Sequence, residues 1–456
     1  MTTLIMKFGG NVLGTPTGIR EALEIIAAQQ NIWDDIVIVT SALSSVTDAL
    51  YNIVQTAQNG SPNAFRADVA ELREMHRETA SFSVSNPDAL RSLLQELDVL
   101  FFNLLDDCDL IRQKSLADPA VADRVVAMGE MFVTRIAAAG GRERGLKCAA
   151  LDASRLIITD DRFGNARPIN SLSQQALETN LLPLLDRGII PIVTGYMGAN
   201  ERGEVTTLGR GGSDYSATYL GALLAADEVW FFSDVDGLMS ADPAVVPKAR
   251  MIPTSSYREV AEMARFGARV LHPRAIEPLI QANIPLRIRS VTDPGNTGTY
   301  IFNHTPPQEF RIHAITQARG LLVNGTSQSN MTEVCNRLIS QYINDDIQPT
   351  LQVDVHSGSH VVYVAPTSAN QEKFHESIKH LQSYDSGMAW QAESMTVIAV
   401  IGALNQDDHI EILKTLSKAN IKPELFGSGS EGVFLLVVSA DAAEAALNHL
   451  HKLIQK

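Results

Sequence analysis

The sequence contains little cysteine and no recognisable targeting segment. Its 456 residues include three cysteines, which are widely spaced: Cys108, Cys148 and Cys335. That spacing is typical neither of a disulfide framework nor of a zinc site, and it fits a reducing compartment. The first seven residues lack the charged and apolar regions of a signal peptide. We therefore expect a cytoplasmic protein whose own side chains build no metal site.

Long apolar runs and an excess of positive charge are also missing. No stretch of about 18 apolar residues occurs, so we expect no segment that spans a membrane. The chain has 37 Lys and Arg against 52 Asp and Glu, a formal net charge of −15. This balance argues against nucleic acid or an anionic membrane as the main partner. An anionic substrate remains compatible with it, because a local basic site can lie within an acidic protein.

The apolar segments that are present predict an α/β fold in the first 300 residues. They are rich in Val, Ile, Phe and Trp and show little alternation, as in parallel strands buried on both faces: residues 4–8, 36–40, 189–194, 229–233 and 285–289. Helical patterns separate them. Thr15-Pro16 predicts the start of one helix that runs to about Ala28. Strands that alternate with helices indicate a layered α/β sheet domain.

A change of pattern near residues 303–309, Asn-His-Thr-Pro-Pro-Gln-Glu, predicts a linker. The two segments beyond it each predict a ferredoxin-like βαββαβ unit. In the second, the pattern predicts two strands and two helices: strands 397–401 and 433–438, and helices 408–419 and 441–454. We therefore predict domains at 1–303, 310–385 and 390–456.

Lys7-Phe8-Gly9-Gly10 is the first candidate for chemistry, because it follows an apolar strand and precedes a helix. Paired glycines let backbone N–H groups approach a phosphate closely, and a helix N-terminus favours anions. A lysine there can neutralise a phosphoryl group in transfer. The segment is neither a Walker A loop nor a dinucleotide fingerprint. A tight turn with a solvated lysine is the alternative interpretation.

The second candidate is the loop Leu208-Gly209-Arg210-Gly211-Gly212-Ser213-Asp214, which precedes an apolar helix. Arg210 offers a bidentate fork for a carboxylate, and Asp214 offers a charge for a metal, an ammonium group or a lysine. A flexible polar loop is the alternative. The clustering of three glycines with two opposite charges favours a function.

Three further segments carry candidate side chains. Ser233 and Asp234 end a strand, where open α/β sheets bind ligands, although an Asx turn would also explain them. Glu130 lies on or beside the apolar face of a helix and needs a partner, either a substrate ammonium group or a neighbouring arginine. Arg269, in a segment ending at His272-Pro273, is a candidate phosphate contact, whereas His272 is interpreted as structural.

The order of these segments resembles that of the aspartokinases, within the amino-acid kinase fold, over essentially the whole chain. The matching stretches are KFGG at 7–10, TSALSSVTDAL at 40–50, GE at 129–130, TDDRFGNARP at 159–168, TLGRGGSD at 207–214, SDVDG at 233–237, ADP at 241–243 and EMARFGARVLHP at 262–273. The resemblance implies an open αβα sandwich followed by two ACT domains. It also implies a homodimer formed through those domains, and feedback control by an amino-acid effector.

The resemblance implies phosphorylation of the L-aspartate side-chain carboxylate by ATP, the first step of lysine, threonine and methionine biosynthesis. ATP and Mg²⁺ are the implied cofactors, because the metal bridges phosphate oxygens. The implied roles fall into three groups: Lys7 and Asp214 act in catalysis; Ser41, Thr47, Glu130, Arg210 and Ser213 bind the substrate; and Gly9, Gly10, Ser233, Asp234, Asp236 and Arg269 bind the nucleotide. Within the second group, Glu130 would hold the α-ammonium group and Arg210 the α-carboxylate.

Several positions depart from the family pattern. Asn11-Val12 stands where the family has Thr-Ser, and Met239 and Ala244 replace a tyrosine and an arginine near the nucleotide. Arg269 replaces a lysine. These differences leave two alternatives open: a kinase for another carboxylate substrate, or a weakly catalytic regulatory protein that acts through its ACT domains.

Overall fold

The chain divides into two structural units. The computed structural model describes residues 1–15, 17–60, 62–114, 118–268, 271–293, 295–303, 311–326, 349–355, 358–364 and 389–455. Unit 1 consists of Met1–Leu238, Pro253–Tyr257 and Leu271–His304, and unit 2 of Met239–Ile252, Arg258–Val270 and Thr305–Lys456.

Unit 1 is built on an eight-stranded sheet with the order β3-β5-β2-β1-β8-β10-β11-β9. Its strands are β1 (Thr3–Phe8), β2 (Asp35–Thr40), β3 (Cys148–Leu151), β5 (Ile190–Thr194), β8 (Glu228–Ser233), β9 (Thr254–Ser256), β10 (Leu286–Ser290) and β11 (Thr299–Phe302). All neighbouring pairs are parallel except β10 and β11. A small second sheet contains β4 (Ile158–Thr159), β6 (Met197–Asn200) and β7 (Val205–Thr207).

The helices between these strands are, in chain order, α1 (Gly10–Leu13), α2 (Gly18–Gln29), α3 (Val46–Gln58), α4 (Pro62–Ser83), α5 (Pro87–Lys114), α6 (Pro119–Glu143), α7 (Asn170–Asn180), α8 (Leu182–Leu185), α9 (Gly212–Leu223), α10 (Tyr257–Arg265) and α11 (Pro273–Ala282). Apart from its first residue, Tyr257, α10 belongs to unit 2. None of the helices in the described residues combines the length and the apolar character that crossing a bilayer requires.

Alternate residues of the central strands face opposite layers of helices. Leu4 and Phe8 of β1 belong to the core shared with α2, α3, α5 and α6. Ile5 faces the other way, towards α9 and α11, where Gly221 lies between it and Leu279. Because both faces of the sheet are covered, the strands are apolar along their whole length. The predicted open αβα sandwich is therefore confirmed, and its five predicted strands are present.

One predicted helix start was wrong. The helix expected to begin at Thr15-Pro16 begins at Gly18, with Thr17 as its N-cap residue. The Thr15 hydroxyl instead donates to the Val12 carbonyl at the end of α1, so the short α1 uses Thr15 to close its own last turn.

Unit 2 contains a six-stranded antiparallel sheet with the order β13-β14-β12-β15-β17-β16. Its strands are β12 (Ile312–Thr326), β13 (Pro349–Val355), β14 (Gly358–Val364), β15 (Ala389–Gly402), β16 (Leu425–Ser428) and β17 (Val433–Val438). β12 pairs with β15 along its whole length. These two long strands join both predicted βαββαβ segments into one sheet.

In the described part of unit 2, two helices pack on this sheet, α12 (Gln406–Lys418) and α13 (Ala440–Leu450). Their apolar faces share a core with β12, β15 and β17, including Ile398, Leu416 and Leu447. Asn405 and Asp408 cap the start of α12 reciprocally, which satisfies two backbone N–H groups. Residues 304–310, which include most of the predicted linker, and residues 327–348 and 365–388 lie outside the described residues.

Candidate active site

The glycine pair after β1 brings three strand ends together. The Gly9 N–H donates to the Phe232 carbonyl of β8 at 3.2 Å. A Cβ atom at Gly10 would lie 2.5 Å from the Ala42 carbonyl oxygen, in the loop after β2. Only glycine permits this close approach. Gly10 also opens α1, whose first N–H groups have no acceptor within the helix.

Lys7 and Asp214 form an ion pair at this edge of the sheet. The Lys7 Nζ atom lies 2.5 Å from the Asp214 Oδ1 atom, and the two side chains are 13% and 22% exposed. Asp214 belongs to the first turn of α9, and the Lys7 ammonium group also lies over the Phe231 ring, 5.6 Å from its centroid. Of the three partners considered for Asp214, the structure provides a lysine.

Glu130 of α6 is a buried carboxylate with one oxygen unpaired. Glu130 is only 3% exposed to solvent. One oxygen, Oε1, accepts a hydrogen bond from the Ser213 hydroxyl at 3.2 Å. The other, Oε2, has no hydrogen-bond partner among the described residues. Burial raises the pKa of Glu130 to about 8, although the backbone N–H groups of Ala42 and of Glu130 itself, the Ser213 hydroxyl and the charge of Lys7 act in the opposite direction.

The sequence left open whether an arginine would pair with Glu130. No ion pair joins Glu130 to an arginine in the described part of the chain. The preceding glycine explains its depth: a Cβ atom at Gly129 would lie 2.9 Å from the Ala42 Cβ atom and 3.2 Å from a Val46 methyl group. Gly129 thus lets α6 approach the loop after β2.

Ser41 and Thr47 lie on either side of a sharp turn. The Ser41 N–H donates to the Phe8 carbonyl at 3.2 Å. Thr47 lies in the first turn of α3, and the residue that caps that helix, Ser45, has a left-handed backbone with φ 67°. Both predicted residues are half-buried.

Arg210 lies in the loop between β7 and α9. Gly209 and Gly211 on either side of it have φ values of 78° and 73°, which favour glycine. Arg210 is exposed and makes neither a hydrogen bond nor an ion pair with the described residues. Beneath the loop, Arg274 donates to the Leu208 carbonyl at 3.1 Å. The loop is therefore supported while its guanidinium group stays available to a ligand.

The segment after β8 is tied to α1 by Asn11. The Asn11 amide donates to Asp234 at 3.3 Å, and its carbonyl oxygen accepts from the Ser44 hydroxyl at 3.1 Å. The Ser233 hydroxyl donates to Asp234 at 3.0 Å. Asp236 is exposed two residues further on. Asn11, which departs from the family pattern, thus connects three of the loops at this edge.

Two residues of the segment that ends at His272-Pro273 were also considered from the sequence, Arg269 and His272. Arg269 lies outside the described residues, so its phosphate contact stays a prediction. His272 is the N-cap residue of α11, and its Nδ1 atom accepts from the Arg274 N–H at 3.3 Å. This agrees with its structural interpretation.

Asp123 is a residue that the sequence analysis missed. Its buried carboxylate accepts the backbone N–H groups of Gly164 at 2.8 Å and Thr207 at 2.6 Å. Burial raises the pKa of Asp123 despite these bonds. It precedes Glu130 by two helical turns on the same face of α6, and that spacing was the available signal.

These loops gather charges of both signs at the carboxyl end of a parallel sheet, where α/β folds bind ligands. A buried carboxylate suits an ammonium group, and an available guanidinium group suits a carboxylate. The lysine beside a glycine turn suits a phosphate. Together these groups match an amino acid and a nucleotide bound side by side.

Comparisons with known proteins agree with this geometry. Residues 2–290 match the model of the amino acid kinase family. The chain is 28% identical to lysine-sensitive aspartokinase 3 of Escherichia coli over 458 residues, which covers 98% of both proteins. It is also 28% identical to the chloroplastic bifunctional aspartokinase/homoserine dehydrogenase 2 of Arabidopsis thaliana over 466 residues. That match covers 98% of this chain but only 50% of the bifunctional protein.

The fold agrees as well. The structure of E. coli aspartokinase III in complex with aspartate and ADP matches with a TM-score of 0.77 and 24% identity. The match covers 99% of this chain and 100% of that one. Because the family model matches residues 2–290, the chain belongs to the amino acid kinase family.

Proposed function

We propose that the chain is an aspartokinase, which transfers the γ-phosphoryl group of ATP to the side-chain carboxylate of L-aspartate. The products are 4-phospho-L-aspartate and ADP. The observation that carries this proposal is the buried Glu130 carboxylate, whose Oε2 atom has no hydrogen-bond partner among the described residues. The full-length similarity to an E. coli aspartokinase supports it.

The amino-acid end of the site is assigned to three side chains. Glu130 binds the α-ammonium group, because a cation repays the cost of burying its carboxylate. Arg210 binds the α-carboxylate through its guanidinium fork. Ser213, which already donates to Glu130, orients that carboxylate. Two anchors of opposite charge fix the amino acid and leave its side chain free to react.

The reaction centre is assigned to Lys7 and its neighbours. The lysine ammonium group stabilises the negative charge that develops on the transferred phosphoryl group. Asp214 holds Lys7 in place through their ion pair. Ser41 and Thr47 line the pocket next to the reacting carboxylate, and Gly9 and Gly10 accommodate the phosphates.

The nucleotide end is assigned to the segment after β8. Ser233, Asp234 and Asp236 contact ATP, and Asn11 keeps Asp234 in position. The described residues contain no group of three or more His, Cys, Asp or Glu side chains that could hold a metal ion. We infer that Mg²⁺ would enter the site together with ATP, and that Asp234 could contribute one carboxylate ligand. When bound, the metal neutralises phosphate charge.

Unit 2 is assigned to regulation. Its long antiparallel sheet with two packed helices suits a pair of ACT domains, within 310–385 and 390–456 and preceded by a kinase domain at 1–303. The effector is an amino acid, as the lysine sensitivity of the E. coli relative suggests. The chain associates as a homodimer through these domains. Cys108 and Cys148 are free thiols, in keeping with a cytoplasmic location.

The proposed chemistry is tested by trapping the acyl phosphate. Purified protein with ATP, Mg²⁺, L-aspartate and hydroxylamine should form aspartyl hydroxamate. Lys7→Met should lower the rate at least about 100-fold, because the variant loses the cation that stabilises the transition state. Lys147→Met, an exposed lysine before β3 at the opposite edge of the sheet, is the matched control and should react at the wild-type rate.

Hydroxamate formed equally by wild type and Lys7→Met would contradict the catalytic assignment. A wild-type protein that reacts with another carboxylic acid but not with L-aspartate would replace the proposed substrate. A protein that reacts with no acid and does not bind ATP would act by regulation alone.

Arg210→Ala should raise the KM for L-aspartate about 10- to 100-fold, because a charge-assisted hydrogen bond contributes about 1.5–3 kcal/mol. The KM for ATP should stay within about twofold of the wild-type value. Arg202→Ala, which removes an exposed arginine from the hairpin between β6 and β7, is the control. Equal changes in both KM values, or none, would remove Arg210 from the amino-acid site.

Glu130→Gln should become more stable relative to wild type as the pH rises. The folded-state pKa of Glu130 lies near 8, above the value of 4.5 for an ordinary glutamate. Folded protein thus binds more protons than unfolded protein between these values, so the wild-type free energy of unfolding falls as pH increases from about 5 to 8.

Urea unfolding at pH 5, 6.5 and 8, without substrate, measures this difference. Glu71→Gln, at an exposed position of α4, should show no comparable trend. A Glu130→Gln advantage that stays constant across this range would mean that Glu130 is already ionised in the free protein.

A further inference from the structure

A pair of tyrosine hydroxyl groups connects two elements of unit 1 that are distant in sequence. The Tyr51 and Tyr196 hydroxyl oxygens lie 2.7 Å apart. Tyr51 lies on α3, and Tyr196 lies in the turn between β5 and β6. Tyr196 is 8% exposed, whereas Tyr51 is 42% exposed. A half-exposed phenol could bond to water, yet here it bonds to the other phenol.

The backbone of Tyr196 supports both ends of the Arg210 loop. Its carbonyl oxygen accepts the Leu208 N–H at 2.8 Å, and its own N–H donates to the Ser216 hydroxyl at 3.0 Å. A Cβ atom at Gly212 would lie 2.7 Å from the Tyr196 ring. Tyr196 therefore bonds to Leu208 before Arg210 and lies close to Gly212 after it.

The other partner belongs to the helix that carries Thr47. Tyr51 follows Thr47 by four residues, so both side chains lie on the same face of α3. Burial raises the pKa of Tyr196. The hydroxyl pair thus connects α3, which carries Thr47, to the turn between β5 and β6.

Strained backbone marks the same region. Ser45, just before α3, and Tyr196 both have φ values of 67°. Such left-handed conformations are unfavourable for residues with a Cβ atom, and they concentrate at functional sites. In the described residues only three other non-glycine residues share this conformation: Ala225, Asn283 and Asn420. Two of these five left-handed residues, Ser45 and Tyr196, therefore lie at the start of α3 and in the turn between β5 and β6, which the tyrosine pair joins.

We propose that the Tyr51–Tyr196 hydroxyl bridge is a positioning device for the amino-acid end of the pocket. It holds α3, with Thr47, against the turn that supports Arg210 and Ser213. Neither tyrosine takes part in the chemical step. The proposal rests on the proposed aspartokinase function, because it concerns the site to which L-aspartate is assigned.

Steady-state kinetics of Tyr51→Phe, Tyr196→Phe and the double variant test the bridge. Each single variant loses one hydroxyl group and keeps its ring. We expect each to raise the KM for L-aspartate about fivefold, as suits the loss of one hydrogen bond, with the KM for ATP and kcat within about twofold of wild type. The double variant should match the single variants, because the first substitution already removes the bond.

Tyr219→Phe is the matched control. Its hydroxyl donates to Asn170 at 3.0 Å, within the same unit but without contact to Tyr51 or Tyr196, so its KM for L-aspartate should equal that of wild type. Thermal unfolding of all variants checks folding. Because Tyr51 is half-exposed, Tyr51→Phe gives the decisive result if Tyr196→Phe fails to fold.

Three results would overturn the proposal. Unchanged KM values in an active Tyr51→Phe variant would show that the bridge positions nothing, and the aspartokinase function would stand. Additive effects in the double variant, or equal rises in both KM values, would show two independent structural roles. A wild-type protein without activity on L-aspartate would remove the proposed function and the bridge together.

Discussion

The desolvated carboxylate of Glu130 is the constraint on which the site depends. A carboxylate at this depth is costly unless a cation or several hydrogen bonds stabilise it. The backbone N–H groups of Ala42 and Glu130, the Ser213 hydroxyl and the charge of Lys7 all favour the ionised form, yet burial still raises the pKa of Glu130 to about 8. The free protein therefore keeps an unfavourable group that an ammonium ligand would relieve. Such a site gains affinity for a cation because its own structure leaves one oxygen unsatisfied.

Glycine residues allow the helices around this buried carboxylate to pack closely against the loop after β2. Gly129 lets α6 approach the loop after β2, and Gly10 lets α1 approach the same loop from the other side. The ends of β1, β2 and β8 then meet at one edge of the sheet, as the hydrogen bonds from Gly9 to Phe232 and from Ser41 to Phe8 show. Lys7 and Asp214 can pair there because a parallel sheet places the carboxyl ends of its strands together.

Features that depend on a local residue pattern, such as buried strands and glycine-rich loops, could be predicted from the sequence. Continuous apolar runs identified the buried parallel strands, and the glycine-rich segment around Arg210 identified a loop that leads into a helix. Contacts between distant segments could not be read in this way. The reciprocal bonds of Asn11, the support that Asp123 gives to two loops, and the Tyr51–Tyr196 bridge all require the folded arrangement. Even the local start of α2 was displaced, because α1 uses Thr15 for its own last turn.

The titration of Glu130 with and without L-aspartate tests whether this carboxylate binds the substrate ammonium group. Carbon-13 NMR of protein labelled at glutamate side-chain carboxyls, with Glu130→Gln for assignment, measures this pKa. We expect a value of about 8 in the free protein and a fall towards the ordinary value of about 4.5 when L-aspartate saturates the site, because a bound ammonium group favours the ionised form. A free-protein pKa near the ordinary value, or a raised pKa that L-aspartate leaves unchanged, would contradict this role of Glu130.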